Sequence, residues 1–236
     1  MTRDDLDLYR SIEQTFFQRV TDRMSAEIYL YCLTGSLSRD IIITNWSDID
    51  ILLVLRSYTS TVFDTLHNTV KETEHPTKIG LTIFTLEEFN CELLKSSRTY
   101  LAINAICDGV LVPRICAPEI VLQRVPSELI RRSNQAEFAH VLHVLKRELL
   151  QTMKCDERKV YKYITILLKI HLQEQGIVAN SYEVMLNNIS CLRGFGPTFP
   201  SPQEILDNPG DKKNRLDTYF EFLNQVRKHS RSIFES

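Results

Sequence analysis

The sequence predicts an α/β domain followed by an all-helical domain. Up to about Pro118, apolar strand-like runs alternate with helical periodicities. Beyond it every periodic segment has the three-to-four spacing of a helix. The two strongest strand segments are separated only by a Gly-Ser turn and a polar connection. Residues 1–118 and 119–236 are therefore expected to form separate domains.

The elements follow in order. Tyr9, Ile12, Phe16, Val20 and Met24 recur at three or four residues and predict an amphipathic helix from Leu6. Ile28 to Leu33 reads as a strand broken by Gly35-Ser36, and Ile49 to Leu55 is apolar enough to be a central strand covered on both faces. Val62, Phe63, Leu66 and Val70 mark a helix over Thr61 to Glu74, and Lys78 to Phe84 a third strand. Thr85-Leu86-Glu87-Glu88 matches a capping box that starts a helix ending before Gly109. Val110 to Val112, closed by Pro113, is expected as a short fourth strand. In the second half Phe138 to Met153 and Val160 to Leu172 mark two long helices, the latter ending at Gly176. Ser181 caps a short helix to Ser190, Gly194 to Pro202 is a loop, and Leu216, Tyr219, Phe220, Leu223 and Val226 set a terminal helix.

With 236 residues, 43% hydrophobic and 25% charged, the chain can bury one large core or two smaller ones, which excludes global disorder. A net charge of −2 argues against a generally basic surface for gripping nucleic acid. The charge is uneven, with 11 basic and 17 acidic residues in 1–120 against 17 and 13 in 121–236. Six cysteines without a C-x-x-C pair point to a reduced, intracellular protein. The acidic opening segment and the lack of an apolar run of about 18 residues point to a cytoplasmic chain without a membrane span.

The chemistry concentrates in Leu33 to Asp40 and Ser47 to Val54. Asp48 and Asp50, two apart at a strand start, project from one face about 7 Å apart and can converge on a cation. Magnesium takes such hard oxygens together with substrate phosphates. Gly35 lets phosphate approach the backbone, and the Ser36 hydroxyl with nearby N–H groups can hold its oxygens.

In order and spacing, Gly35-Ser36 and Arg39, then eleven residues from Leu37 to Ser47, then Asp48-Ile49-Asp50, this stretch resembles the signature of the DNA polymerase β-like nucleotidyltransferase superfamily. The wording around Ser47 is close to its minimal and small-molecule members. The resemblance covers Ile28 to Pro113 and implies a nucleotidyltransferase domain with a small mixed sheet. The helical half is similar in layout to aminoglycoside adenylyltransferases, which implies a helical domain closing the cleft. Carried over, Asp48 and Asp50 would be catalytic and ligate Mg2+ or Mn2+. Gly35, Ser36, Arg39 and Ser47 would hold the nucleotide. Independently of the resemblance, Lys162 and Lys169, beside the apolar stripe of their helix in the basic second half, are candidate phosphate contacts. The implied reaction is attack of an acceptor hydroxyl on the α-phosphorus of ATP or another nucleoside triphosphate, with pyrophosphate leaving.

Two departures stand out. Gly80 occupies the strand position where the family carries a third carboxylate, and Asp40 follows the arginine where the family keeps glycine. Glu88 is used by the capping box and Glu87 suits solvent. His140 and His143 read as helix-surface residues, Lys159 as part of a solvated face, Gly194 to Pro197 as a simple loop, and Lys212 to Arg215 as a surface cluster.

Two functions remain in view. The first is a metal-dependent transferase moving a nucleoside monophosphate, AMP above all, onto a small molecule or a protein. The second is a degenerate fold that binds nucleotide or a partner protein, as in an antitoxin-like role. Asp48 and Asp50 favour the first; Gly80 favours the second.

Overall fold

A computed structural model describes residues 3–73, 78–91, 95–151, 154, 156–179, 181–189, 192 and 199–234, with the side chains of Arg3 and of 227–234 outside that description. The expected Ser190 helix end, most of the Gly194 to Pro202 loop, Met153, Cys155 and Cys191 lie outside the described residues. The chain divides into two compact units, Met1–Ile130 and Arg131–Ser236, later than the boundary expected at residue 118. Ile120 and Ile130 are the reason, since both are buried in a core of the first unit.

The protein is mixed α/β. In the first unit α1 (Arg3–Met24) leads to β1 (Ile28–Thr34), β2 (Ile49–Leu55), α2 (Ser60–Thr73) and β3 (Ile79–Thr85). Then come α3 (Leu86–Asn90), α4 (Ser97–Cys107), β4 (Ile115–Cys116) and the first turn of α5 (Ser127–Leu149). The described strands form one small mixed sheet in the order β3-β2-β1-β4, with β2 and β3 parallel and the other pairs antiparallel.

Alternation along β2 builds the unit. Ile49, Ile51, Leu53 and Leu55 point to one face, where Tyr9, Ile12, Phe16 and Val20 of α1 and Val62 and Leu66 of α2 cover them. Leu52 and Val54 point to the other, against Phe89, Tyr100, Ile103 and Ile106 of α3 and α4. Each such side chain, taken fully from water, contributes about 1.5–3 kcal/mol. Asp50 is the exception on β2, exposed at the uncovered end of the α3–α4 face.

Two expectations needed correction here. The helix after Thr85 is two helices: the capping box forms, but Cys91 is extended and Ser96 caps α4 anew by accepting the Thr99 N–H. The fourth strand is Ile115–Cys116 and not Val110 to Val112. The N–H groups of Val110 and Leu111 return to Ala105 O and close α4, helped by the left-handed Gly109, whereas Arg114 and Ala117 donate to Tyr31 O and Tyr29 O of β1.

In the second unit α5 continues with α6 (Glu157–Glu174), α7 (Tyr182–Asn188), α8 (Pro202–Asp207) and α9 (Lys212–Phe234). Asp156 caps α6 by accepting the Lys159 N–H, and left-handed Gly176 ends it, with Ile177 N–H returning to Leu172 O. Phe138, Val141, Leu145, Val160, Ile164, Leu168, Tyr219 and Phe222 share its core. The Ser201 capping box with Pro202 at the first position starts α8, a helix that begins at the last residue of the expected Gly194 to Pro202 loop and that periodicity did not predict. Among the described residues no helix is long and apolar enough to cross a membrane.

Candidate functional site

The two halves of the motif meet through strand register. Thr34 at the end of β1 pairs with Asp50, and Asp50 pairs on its other side with Gly80. Asp48 lies two residues before Asp50, so an extended backbone puts both carboxylates on one side of the sheet. The pattern of buried Ser47, half-buried Asp48, buried Ile49, exposed Asp50 and buried Ile51 follows that alternation.

Both glycines make room for one carboxylate. A side-chain carbon at Gly35 would stand 2.3 Å from Asp50 Oδ2, and one at Gly80 would stand 3.1 Å from Asp50 Oδ1. Gly35 is also left-handed, at φ +69°. The expectation was that Gly35 spares space for phosphate; the space its side chain would fill holds Asp50 itself.

From this turn the chain enters a short 3₁₀ turn, Leu37–Arg39. Ser36 O accepts the N–H groups of Arg39 and Ile41, Ser38 Oγ donates to Gly35 O, and the half-buried Ser36 hydroxyl caps no backbone N–H. Loss of water around the Arg39 guanidinium lowers its pKa, and the Asp50 carboxylate opposes that shift; an arginine stays charged throughout. The residue as a whole is exposed, so the partial desolvation belongs to its head group.

Asp40 follows at φ 57°, a left-handed conformation that glycine adopts freely. Holding an aspartate there costs about 1 kcal/mol. Its carboxylate turns outward to Arg10, at 2.7 Å, so the extra negative charge of the loop has its own counter-ion.

Ser47 is placed differently from its expected role at the nucleotide. It is buried, its Oγ accepts the Ile43 N–H at 2.8 Å, its N–H donates to Ile43 O, and Tyr9 reaches its carbonyl. These bonds fold the turn of residues 43–47 that delivers Asp48 to the strand.

Lys162 and Lys169 belong to the second unit, half-buried on α6, where the Lys169 ammonium lies 5.3 Å from the Tyr182 ring centre. His140 and His143 are exposed on α5. Glu87 and Glu88 follow Thr85, which pairs with Leu55. Thr85 is five residues, about 17 Å, along β3 from Gly80, so neither glutamate follows the strand position expected for a third carboxylate. Glu88 is moreover held by Thr85 N–H and the Tyr58 hydroxyl.

Among the described residues no cluster of three or more His, Cys, Asp or Glu could hold a metal by itself. Two carboxylates nevertheless fit magnesium, which keeps waters or takes phosphate oxygens for its remaining positions. The described cysteines are free thiols; burial pushes the Cys32 thiol up to about 12, which suits a packed side chain and not a nucleophile.

Sequence reasoning missed one polar group on the α1 side of the sheet. Glu13 of α1, 2% exposed, accepts from the Tyr31 hydroxyl at 2.9 Å and is paired with Arg114, whose guanidinium also lies over the Phe17 ring at 4.8 Å. Arg10, Glu13, Gln14, Asp40 and Arg114 line a groove of about 560 Å³ on the α1 side, and Asp48, Asp50 and Gly80 are not among its lining residues. Glu13 and Arg114 are too far apart in sequence for any spacing rule to join them. No protein-family model matches the chain and no curated protein matches it.

Proposed function

We propose that this protein is a metal-dependent nucleotidyltransferase that moves a nucleoside monophosphate, with AMP as the expected group, from a nucleoside triphosphate to a hydroxyl of a small molecule or a protein. The observation that carries the reading is the seat of the Asp50 carboxylate between Gly35 and Gly80, with Asp48 two residues before it. Residues separated along the chain in the order of the signature are neighbours in the fold, as that chemistry requires.

In this reading Asp48 and Asp50 hold Mg2+ or Mn2+, which when bound neutralises triphosphate charge and polarises the α-phosphorus. The turn at Gly35-Ser36 lies beside the Asp50 carboxylate, where the Ser36 hydroxyl and the Arg39 guanidinium can take phosphate oxygens. The acceptor oxygen bonds to the α-phosphorus, the bond to the bridging oxygen breaks, pyrophosphate carries away the electron pair, and the acceptor proton passes to a base or to water.

Gly80 favours a second reading. With two carboxylates the site would bind metal-nucleotide yet transfer slowly, as in a binding module. Purified protein incubated with labelled nucleoside triphosphates and Mg2+ or Mn2+ separates the two: labelled acceptor or labelled protein marks a transferase, retained but unreacted nucleotide a module. Asp48→Asn and Asp50→Asn are each expected to remove most metal-dependent nucleotide binding while leaving the fold intact. Binding equal to the parent in both variants would overturn the site.

A further inference from the structure

The sheet ends at β3, which among the described residues has a strand on one side only. Lys78 O accepts the Ile49 N–H, so the backbone groups of Gly80, Thr82 and Phe84 turn toward β2 and those of Leu81, Ile83 and Thr85 turn to the open side. Side chains cover the end of that side: the Glu88 carboxylate takes the Thr85 N–H, and the Tyr58 hydroxyl donates to Ile83 O at 3.2 Å. The Leu81 N–H and C=O and the Ile83 N–H have no hydrogen-bond partner among the described residues.

Natural edge strands are defended against pairing by a charge, a proline, a bulge or short length. Ile79–Thr85 is seven residues long, runs beside β2 without a register shift and contains neither charge nor proline. Leu81 and Ile83 are only half-buried against the α1–α2 core. Where Tyr58 meets the edge, its ring stands 5.4 Å from that of Phe63, and the two residues are 42% and 44% exposed. The charges lie just outside the strand, with exposed Lys78 before it and exposed Glu87 after it.

That distribution fits a second copy of the same strand. A two-fold axis at Thr82 sets the copies antiparallel and brings the Lys78 end of each beside the Glu87 end of the other. Leu81 then lies opposite the partner's Ile83. Its carbonyl accepts the partner's Ile83 N–H, and its own N–H reaches the partner's Ile83 O, whose second lone pair Tyr58 leaves open. The half-buried Leu81 and Ile83 side chains cover one another across the seam. We propose that the open edge of β3 is a homodimer surface, on which two copies join their sheets antiparallel about Thr82.

Sedimentation velocity on a dilution series of the full chain tests this, with a reversible monomer–dimer equilibrium as the expected result. Lys78→Glu and Glu87→Lys each turn two attractive pairs into repulsive ones, and each is expected to weaken the dimer roughly three- to tenfold. The variant carrying both changes restores the pairing and should return to within about twofold of the parent. Thr82→Lys places two ammonium groups opposite each other at the axis and should weaken the dimer at least about threefold. Thr82 is exposed, so the monomer keeps its fold, which the fluorescence of buried Trp46 checks. A parent that stays monomeric up to about 1 mM would overturn the proposal. So would a dimer indifferent to Thr82→Lys, because its contact would lie elsewhere. A double charge variant as weak as the single ones would overturn the antiparallel register.

Discussion

Replacing Gly35 by alanine measures the seat of Asp50 directly. The backbone at φ +69° costs an L-residue about 1–2 kcal/mol. The new Cβ would also stand 2.3 Å from Asp50 Oδ2, 2.9 Å from its Cβ and 3.0 Å from its Cγ, so the side chain must rotate to clear the carboxylate and the turn must open slightly to clear the Cβ. Asp50 is exposed and can move, at about 0.5–1.5 kcal/mol for leaving its rotamer. The expected loss is therefore about 1.5–3.5 kcal/mol. Gly109 supplies the control, with φ +71° and nothing within 4 Å of an added Cβ; Gly109→Ala should show the backbone cost alone. Trp46, the single tryptophan, is buried in the loop between β1 and β2, so its fluorescence in a urea titration reports the unit that contains the site. Gly35→Ala should lose more stability than Gly109→Ala, and the part of the excess due to the carboxylate should vanish when Asp50→Ala is combined with it, while the contact with the Cβ of residue 50 remains. Equal losses in the two single variants would show that Asp50 does not sit over Gly35.

Other consequences can be measured independently. Arg215 donates to Glu157 through Nε at 2.6 Å and Nη2 at 2.9 Å, with side chains only 8% and 12% exposed, while Tyr219 also donates to Glu157. Arg215→Ala should cost about 3–5 kcal/mol by leaving a buried carboxylate unpaired, and joint replacement of both residues by methionine should cost far less. Hydrogen exchange in α6 and α9 reads this, and similar losses for the single and joint variants would refute it. Burial raises the Glu13 carboxyl above its ordinary 4.5, against the Arg114 charge and the Tyr31 hydrogen bond, which lower it. The folded state then binds more protons than the unfolded one. Glu13's contribution is full below pH 4.5 and is lost as pH rises through the raised value. The stability of the parent minus that of Glu13→Gln should accordingly fall between pH 4.5 and 7.5 in urea titrations, and a flat or rising difference would contradict the burial argument.

Much of the architecture was legible in the sequence because local periodicity dictated it. Tyr9, Ile12, Phe16, Val20 and Met24 had to share a helix face and are all buried, and the Ile49 to Leu55 run could only be an interior strand. Thr85 and Glu88 announce a helix start in any context, and left-handed Gly176 ends α6 where the spacing placed its end. The order of Gly35-Ser36 and Asp48-Ile49-Asp50 joined the two segments in the sequence, and the fold does set Gly35 against Asp50. Periodicity could not show where α4 begins, since Ser96 outcompetes an uninterrupted helix only once the chain turns. Nor could it separate Val110 to Val112 from Ile115–Cys116, two short apolar segments of which only the second reaches the edge of β1. Register was equally invisible, yet it sets Gly80 against Asp50 and sends Glu87 and Glu88 to the far end of β3. Gly35 was read as room for phosphate, but the contact that fills that room comes from the neighbouring strand. Glu13, Tyr31 and Arg114 come together because α1, β1 and β4 pack on one another, a meeting of distant segments that only tertiary structure decides.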